Sequence, residues 1–180
     1  VIETLKHTSY SLYANPSSSH ALGEFQADEI EHSRTVIADS IGCYPSEIVF
    51  TSGATESNNL ALKQILNQLE KAHIITSAVE HKCILSILFF IRQQGHEVTV
   101  IQPNANGTIE LEAIKKEIRS NTQLISMMHV NNELGVINPI SEIGQFCFNQ
   151  GILFHTDAAQ SYGKVQIDVD EMYIDMMSIS

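Results

Sequence analysis

From Glu47 onward, short apolar runs alternate with longer amphipathic ones, and this alternation narrows the fold more than any other feature of the sequence. Residues 47–50, 73–76, 97–101, 124–128 and 152–155 each read as a strand, with 173–178 as a sixth. Between them, 55–69, 82–94, 111–119 and 139–149 carry helical spacing, and Asn106-Gly107 marks a turn. Strand-helix alternation implies an α/β architecture: a mostly parallel sheet with helices on its faces. Ahead of it lie turn-prone residues, the loop Asn15-Pro16-Ser17-Ser18-Ser19, and a helical pattern over 20–41 with Phe25, Ile30, Ile37 and Ile41 on its apolar face. Gly42 is placed to stop that helix. No repeat or linker interrupts the pattern, so residues 1–180 read as one domain.

Composition limits the partners. Apolar residues make up 43% and charged residues 17%, a globular balance, and the net charge of -11 argues against nucleic-acid and membrane-surface binding. No apolar run is long enough to span a bilayer, and the first residues carry no signal pattern. Cys43, Cys83 and Cys147 are odd in number and widely spaced, which suggests neither a disulfide framework nor a zinc cluster and fits a reducing compartment.

In parallel sheets, ligands sit beyond the carboxyl ends of the strands. Polar residues follow the apolar runs here: Thr51-Ser52-Gly53-Ala54-Thr55-Glu56, Glu80-His81-Lys82, His129-Val130-Asn131-Asn132-Glu133, Asp157-Ala158-Ala159-Gln160 and Ser178-Ile179-Ser180. The first joins a strand to a helix with small residues, which suits anion binding at a helix N-terminus and equally suits an ordinary capped start. Asp157, just after an apolar run, is either an N-cap or a carboxylate that keeps a heterocyclic nitrogen protonated. Gln160, one short turn later, is either an ordinary turn residue or a hydrogen-bond partner for a ring oxygen of such a group. His81 either caps a helix or stacks on an aromatic cofactor and moves protons. His155, Asp157 and His129 raise a divalent-metal alternative, but no second ligand pair accompanies them.

Taken together and in order, these segments resemble one family. Phe50–Ala61, Glu80-His81-Lys82, Met128–Val136, His155–Ser161, Gly163-Lys164 and Asp175–Ser180 are similar to group I cysteine desulfurases, and the Asn15–His20 loop fits as well. The resemblance implies a pyridoxal 5'-phosphate (PLP) enzyme of fold type I, with an aspartate-aminotransferase-like large domain. It implies removal of sulfur from L-cysteine to give L-alanine and a protein persulfide, for iron–sulfur cluster assembly and thiolation. A homodimer, an iron–sulfur scaffold or other sulfur-acceptor protein, and a cytoplasmic or mitochondrial-matrix location go with it.

By motif match, Ala54 and Thr55 would hold the cofactor phosphate, with Ser180 assisting. His81 would stack on the ring and serve as the catalytic proton carrier. Asp157 would pair with the ring nitrogen, Gln160 with the ring hydroxyl, and Asn132 with the cofactor or the substrate carboxylate. The family's anchoring lysine follows the position of Ser180 and its nucleophilic cysteine comes later. The chain is therefore expected to be an incomplete large domain, inactive alone. A selenocysteine lyase, another class V enzyme and a non-catalytic binding remnant are the alternatives.

Overall fold

The computed structural model describes residues 2–11, 14–67 and 71–180, which fall into two compact units, Val1–Val49 and Phe50–Ser180. The first unit holds α1 (Ile2–Ser11) and α2 (Ala21–Ile41). Helix α1 occupies residues that read as turn-prone. Helix α2 follows its sequence signals closely: His20 caps it by accepting from the Gly23 N–H at 3.1 Å, and Gly42 ends it in the left-handed region at φ 75°. Ile41 is buried and Ile30 and Ile37 are half-buried, but Phe25 is exposed, so the apolar face is narrower than its spacing suggested.

Residues 47–50 are not a strand. Pro45–Glu47 forms a 3-10 turn, closed by the Tyr44 N–H donating to Glu47 Oε2 at 2.8 Å. Among the described residues no strand pairs with Ile48-Val49-Phe50, so their high strand propensity finds no ladder to join.

The second unit contains α3 (Ala54–Lys63), β1 (His73–Ser77), α4 (Lys82–Gln93), β2 (Glu97–Ile101), α5 (Leu111–Lys116), β3 (Thr122–Ser126), α6 (Ile140–Gln150), β4 (Leu153–Asp157) and β5 (Met176–Ser178). A 3-10 turn, Gln64–Asn67, ends the α3 region, and the rest of the expected helix 55–69 lies outside the described residues. The five strands lie in the order β2-β1-β3-β4-β5, and every neighbouring pair is parallel.

Successive strand residues point to opposite faces, and the burial follows that period. Ile75, Ile125 and Phe154 pack with Ile114, Ile140 and Ile143 from α5 and α6. Ile74 and Leu124 pack on the other face with Leu62, Ile84 and Ile91 from α3 and α4. A sheet covered on both faces explains why its strands are apolar runs and not alternating ones. Because all five run the same way, Ser77, Ile101, Ser126, Asp157 and Ser178 close them at one edge. Strand β3 ends two residues before its apolar run does: Met127 and Met128 are buried beyond the last sheet pair.

Candidate functional site

At the carboxyl edge, Asp157 is the last residue of β4 and only 5% exposed. Its Oδ1 accepts from the Ala159 N–H at 3.0 Å, and its Oδ2 accepts from Asn58 Nδ2 at 2.8 Å. Its carbonyl takes the His129 N–H, and β5 pairs it with Ser178. Each carboxylate oxygen thus has one neutral donor, and no Lys or Arg among the described residues forms an ion pair with it. A carboxylate held this way presents its remaining lone pairs to a cation.

Asn58 reaches Asp157 from α3, whose first turn begins one helical turn earlier at Ala54. Gly53, the N-cap, sits at φ 150° and ψ 179°, a conformation open essentially to glycine alone, and its Cβ position is empty of neighbours. With no side chain capping the helix, the N–H groups of Glu56 and Ser57 turn to the Gly53 carbonyl, whereas those of Ala54 and Thr55 have no partner among the described residues. Glu56 swings back to accept the Ser52 N–H at 2.6 Å, and that bond holds its carboxyl below the ordinary range. Two free N–H groups, the exposed Thr55 side chain and the helix dipole together form a seat for an anion.

His81 caps α4 and is exposed. Its Nδ1 accepts the Cys83 N–H at 3.3 Å and lies 3.0 Å from Cys83 Sγ. Nδ1 is therefore an acceptor, which assigns the proton of the neutral ring to Nε2. Cys83 Sγ in turn receives Asn58 Nδ2 at 3.3 Å. One buried amide therefore links the neighbourhoods of Asp157 and His81.

Asn132, Gln160 and Ser180 are exposed and hydrogen-bond no other described residue. Each is anchored through a neighbour. Asn131, beside Asn132, is 4% exposed; its Oδ1 accepts the N–H groups of Glu133 and Leu134, and its Nδ2 donates to the Val79 carbonyl at 2.8 Å. The loop after β3 is thereby tied to the residue two before His81. Gln160 follows Asp157 within one turn, and Ser180 lies two residues beyond Ser178. All seven predicted residues thus belong to segments bound to one another at the carboxyl edge, although no direct hydrogen bond joins one predicted side chain to another.

Three residues that motif reading left without a role are built into this edge: Asn58, Cys83 and Glu80. Glu80 is 6% exposed; its Oε1 accepts the Ser77 hydroxyl at 2.6 Å and the Met128 N–H at 3.0 Å, and its Oε2 has no partner among the described residues. Burial pushes its carboxyl up to about 7, and the nearby Asp157 charge adds to the rise. Only its place after β1 hinted at this.

The metal alternative meets a specific obstacle in His155. Its ring nitrogens are both engaged, Nδ1 with Ser126 Oγ at 2.9 Å and Nε2 with Ser178 Oγ at 3.1 Å. Complete burial lowers its pKa to about 4, so it is a neutral cross-brace between β3, β4 and β5. Among the described residues no group of three potential ligands is placed to hold a metal ion.

The whole chain, residues 1–180, matches the model of the aminotransferase class-V family. The chain belongs to that family. It is 51% identical over 172 residues to the mitochondrial cysteine desulfurase of Candida albicans, covering 94% of this chain and 35% of that protein. It is 48% identical over 173 residues to the cysteine desulfurase IscS of Photorhabdus laumondii, covering 94% of this chain and 43% of that one.

Among solved structures, SspA in complex with cysteine superposes with a TM-score of 0.96 at 49% identity, covering 99% of this chain and 52% of that chain. A NifS-like protein gives 0.94 at 33% identity over 99% and 50%. The chain thus spans less than half the length of these two curated relatives. The sheet is that of fold type I PLP enzymes, as the resemblance implied, and class-V aminotransferases and cysteine desulfurases are PLP-dependent.

Proposed function

We propose that this chain is the cofactor-binding part of a cysteine desulfurase, which removes sulfur from L-cysteine to give L-alanine and an enzyme persulfide. The observation that carries the reading is the Asp157 carboxylate, buried at the carboxyl edge with one neutral donor on each oxygen and no cationic side chain among the described residues paired with it. A buried carboxylate of this kind favours a protonated heterocycle beside it. The free N–H pair at the start of α3 and the exposed imidazole of His81 suit the other two parts of the same ligand, a phosphate and an aromatic ring face. The donor set therefore fits PLP.

When bound, PLP supplies the electron sink for the chemistry at the amino acid. Ala54 and Thr55 would hold its phosphate through their N–H groups and the Thr55 hydroxyl, with Ser180 assisting. Asp157 would keep the ring nitrogen protonated, and Gln160 would bond the ring hydroxyl. His81, its Nδ1 occupied by Cys83, would stack on the ring and exchange protons through Nε2. Asn132 would meet the cofactor or the substrate carboxylate.

Neither Cys83 nor Cys147 is assigned as the sulfur acceptor. Cys147 is on the buried face of α6, and burial pushes its thiol up to about 12. Cys83 lies beneath His81, bonded to Asn58.

A homodimer, an iron–sulfur scaffold or other sulfur acceptor, and a mitochondrial-matrix or cytoplasmic location complete the proposal. The named relatives, one mitochondrial and one bacterial, support that location. Among the described residues no helix is long and apolar enough to cross a membrane.

The test is to load the full-length protein with PLP, supply L-cysteine, and quantify alanine and reducible sulfur. Equimolar alanine and sulfur is the expected result. Failure to form alanine from cysteine, with the cofactor bound, would overturn the proposal.

A further inference from the structure

We infer that Asn58 is a positioning residue for Asp157, with the Cys83 thiol as the lock that keeps its amide turned the right way. The inference rests on the reading that Asp157 faces the nitrogen of a bound pyridine ring. Asn58 is fully buried, four residues into α3, and its side chain crosses to the end of β4. Its Nδ2 donates to Asp157 Oδ2 at 2.8 Å and to Cys83 Sγ at 3.3 Å, so one nitrogen uses both of its hydrogens. Its Oδ1 is buried with no partner among the described residues.

An amide left with an orphaned carbonyl would be expected to turn over unless its nitrogen were held. Turning it here would set the carbonyl oxygen against the Asp157 carboxylate and against a sulfur whose hydrogen is directed at His81 Nδ1. Two acceptors on the nitrogen side therefore outweigh one unmet acceptor on the other. Cys83 is itself fixed, because its N–H donates to His81 Nδ1 and its sulfur lies 3.0 Å from the same atom. The line from Asp157 through Asn58 and Cys83 to His81 gives the carboxylate a single orientation. The Ala159 N–H holds Oδ1 from the other side.

Three consequences follow for the ring nitrogen. The Asn58 donor occupies one position on Oδ2, so the remaining lone pairs of the carboxylate stay directed at the ring. It also keeps Oδ2 from turning to another donor. Removing it leaves the carboxylate held at Oδ1 alone, free to rotate away from the ring.

The test uses the full-length holoenzyme loaded with PLP carrying ¹⁵N in the ring, with the ring-nitrogen resonance as readout. N58L preserves volume without a donor, and N58A removes the side chain; circular dichroism and cofactor content identify which of them is folded. D157N is measured alongside. The expected result is that D157N moves the resonance toward its unprotonated position and each folded Asn58 variant moves it the same way by a smaller interval. C83A should produce a smaller shift still, and C83S, which retains an acceptor for the amide, should lie near the wild type. If D157N moves the resonance and the Asn58 variants leave it in place, the positioning role is overturned and the Asp157 reading stands. If D157N itself leaves the resonance in place, the Asp157 reading falls and takes the inference with it.

Discussion

Replacing Glu80 with Gln removes a proton-binding group from the buried side of the carboxyl edge, and the size of the effect follows from the geometry. Burial lifts the Glu80 carboxyl from an ordinary value of 4.5 to about 7, against the pull of the Ser77 and Met128 hydrogen bonds. Between those two values the unfolded chain has released the proton while the folded chain still holds it. Stability therefore falls as pH rises through this window: the contribution is fully present below pH 4.5 and lost by about pH 7.

Each pH unit of the window is worth about 1.4 kcal/mol, so the wild type should lose roughly 3 kcal/mol across it that a Gln variant does not lose. Gln keeps a carbonyl oxygen for Ser77 and Met128. Its amide nitrogen replaces Oε2, which has no partner among the described residues, so its hydrogens stay unmet at a pH-independent cost of about 1–3 kcal/mol. The Glu80→Gln protein should be the less stable of the two near pH 5. It should equal or exceed the wild type near roughly pH 8. Urea unfolding of the cofactor-free proteins at intervals across that range reads the difference directly, because titrations common to both cancel. A difference that stays constant with pH would refute the reasoning.

Asp157→Asn should nearly abolish alanine formation, because a neutral amide cannot hold a ring nitrogen protonated. It should also cost about 1–3 kcal/mol in urea unfolding, since one of the two donors from Asn58 and Ala159 then faces an N–H. Near-normal alanine production would remove Asp157 from the site. His81→Ala should slow turnover by about 10²–10⁴-fold, the range for a lost general acid–base group, and should weaken cofactor retention; unchanged turnover and retention would return His81 to a helix cap. Gly53→Ala meets no neighbour but forces an L side chain to φ 150°, so it should cost about 1–3 kcal/mol and lower cofactor affinity with no new steric contact. Wild-type affinity and stability in that variant would show that the start of α3 relaxes freely.

The parts of the fold that could be read from the sequence are those whose causes are local. The His20 and Gly42 caps, the near-complete match of α4, and β2 over its whole length all depend on residues within one element. The errors come where partners decide. Ile48-Val49-Phe50 has strand propensity, yet a strand exists only beside another strand. The run 124–128 was read two residues late because Met127 and Met128 are as apolar as the strand that precedes them, although they are buried beyond its pairing. Helix α5 stops at Lys116, earlier than its apolar spacing extends.

The site divides in the same way. That Thr55, His81, Asn132 and Gln160 lie at one edge was legible because polar residues after apolar runs in an α/β chain fall there, whereas the roles proposed for them rest on the resemblance. Asn58 and Glu80 could not be assigned roles, because what defines them is an acceptor 99 residues away and a donor 48 residues away.

That division is also the way the edge is built. The residues free to meet a ligand are exposed and make few internal bonds. Beside most of them stands a buried polar residue that fixes the backbone: Asn58 after Ala54 and Thr55, Glu80 before His81, Asn131 before Asn132, Asp157 before Gln160, and Ser178 before Ser180. Three of these five bond across elements, and Glu80 and Asn131 each join the loop after β1 to the loop after β3, so the edge is one network laid over a parallel sheet. Such a network is rigid when every bond is made and costly when one is lost. Substitutions in the buried set should therefore disturb ligand geometry and stability together, whereas substitutions in the exposed set other than His81, which caps α4, should alter binding or rate and leave the unfolding free energy close to that of the wild type. Asp157 is buried and is also proposed to meet the ligand itself, which is why its replacement by Asn should register in both assays.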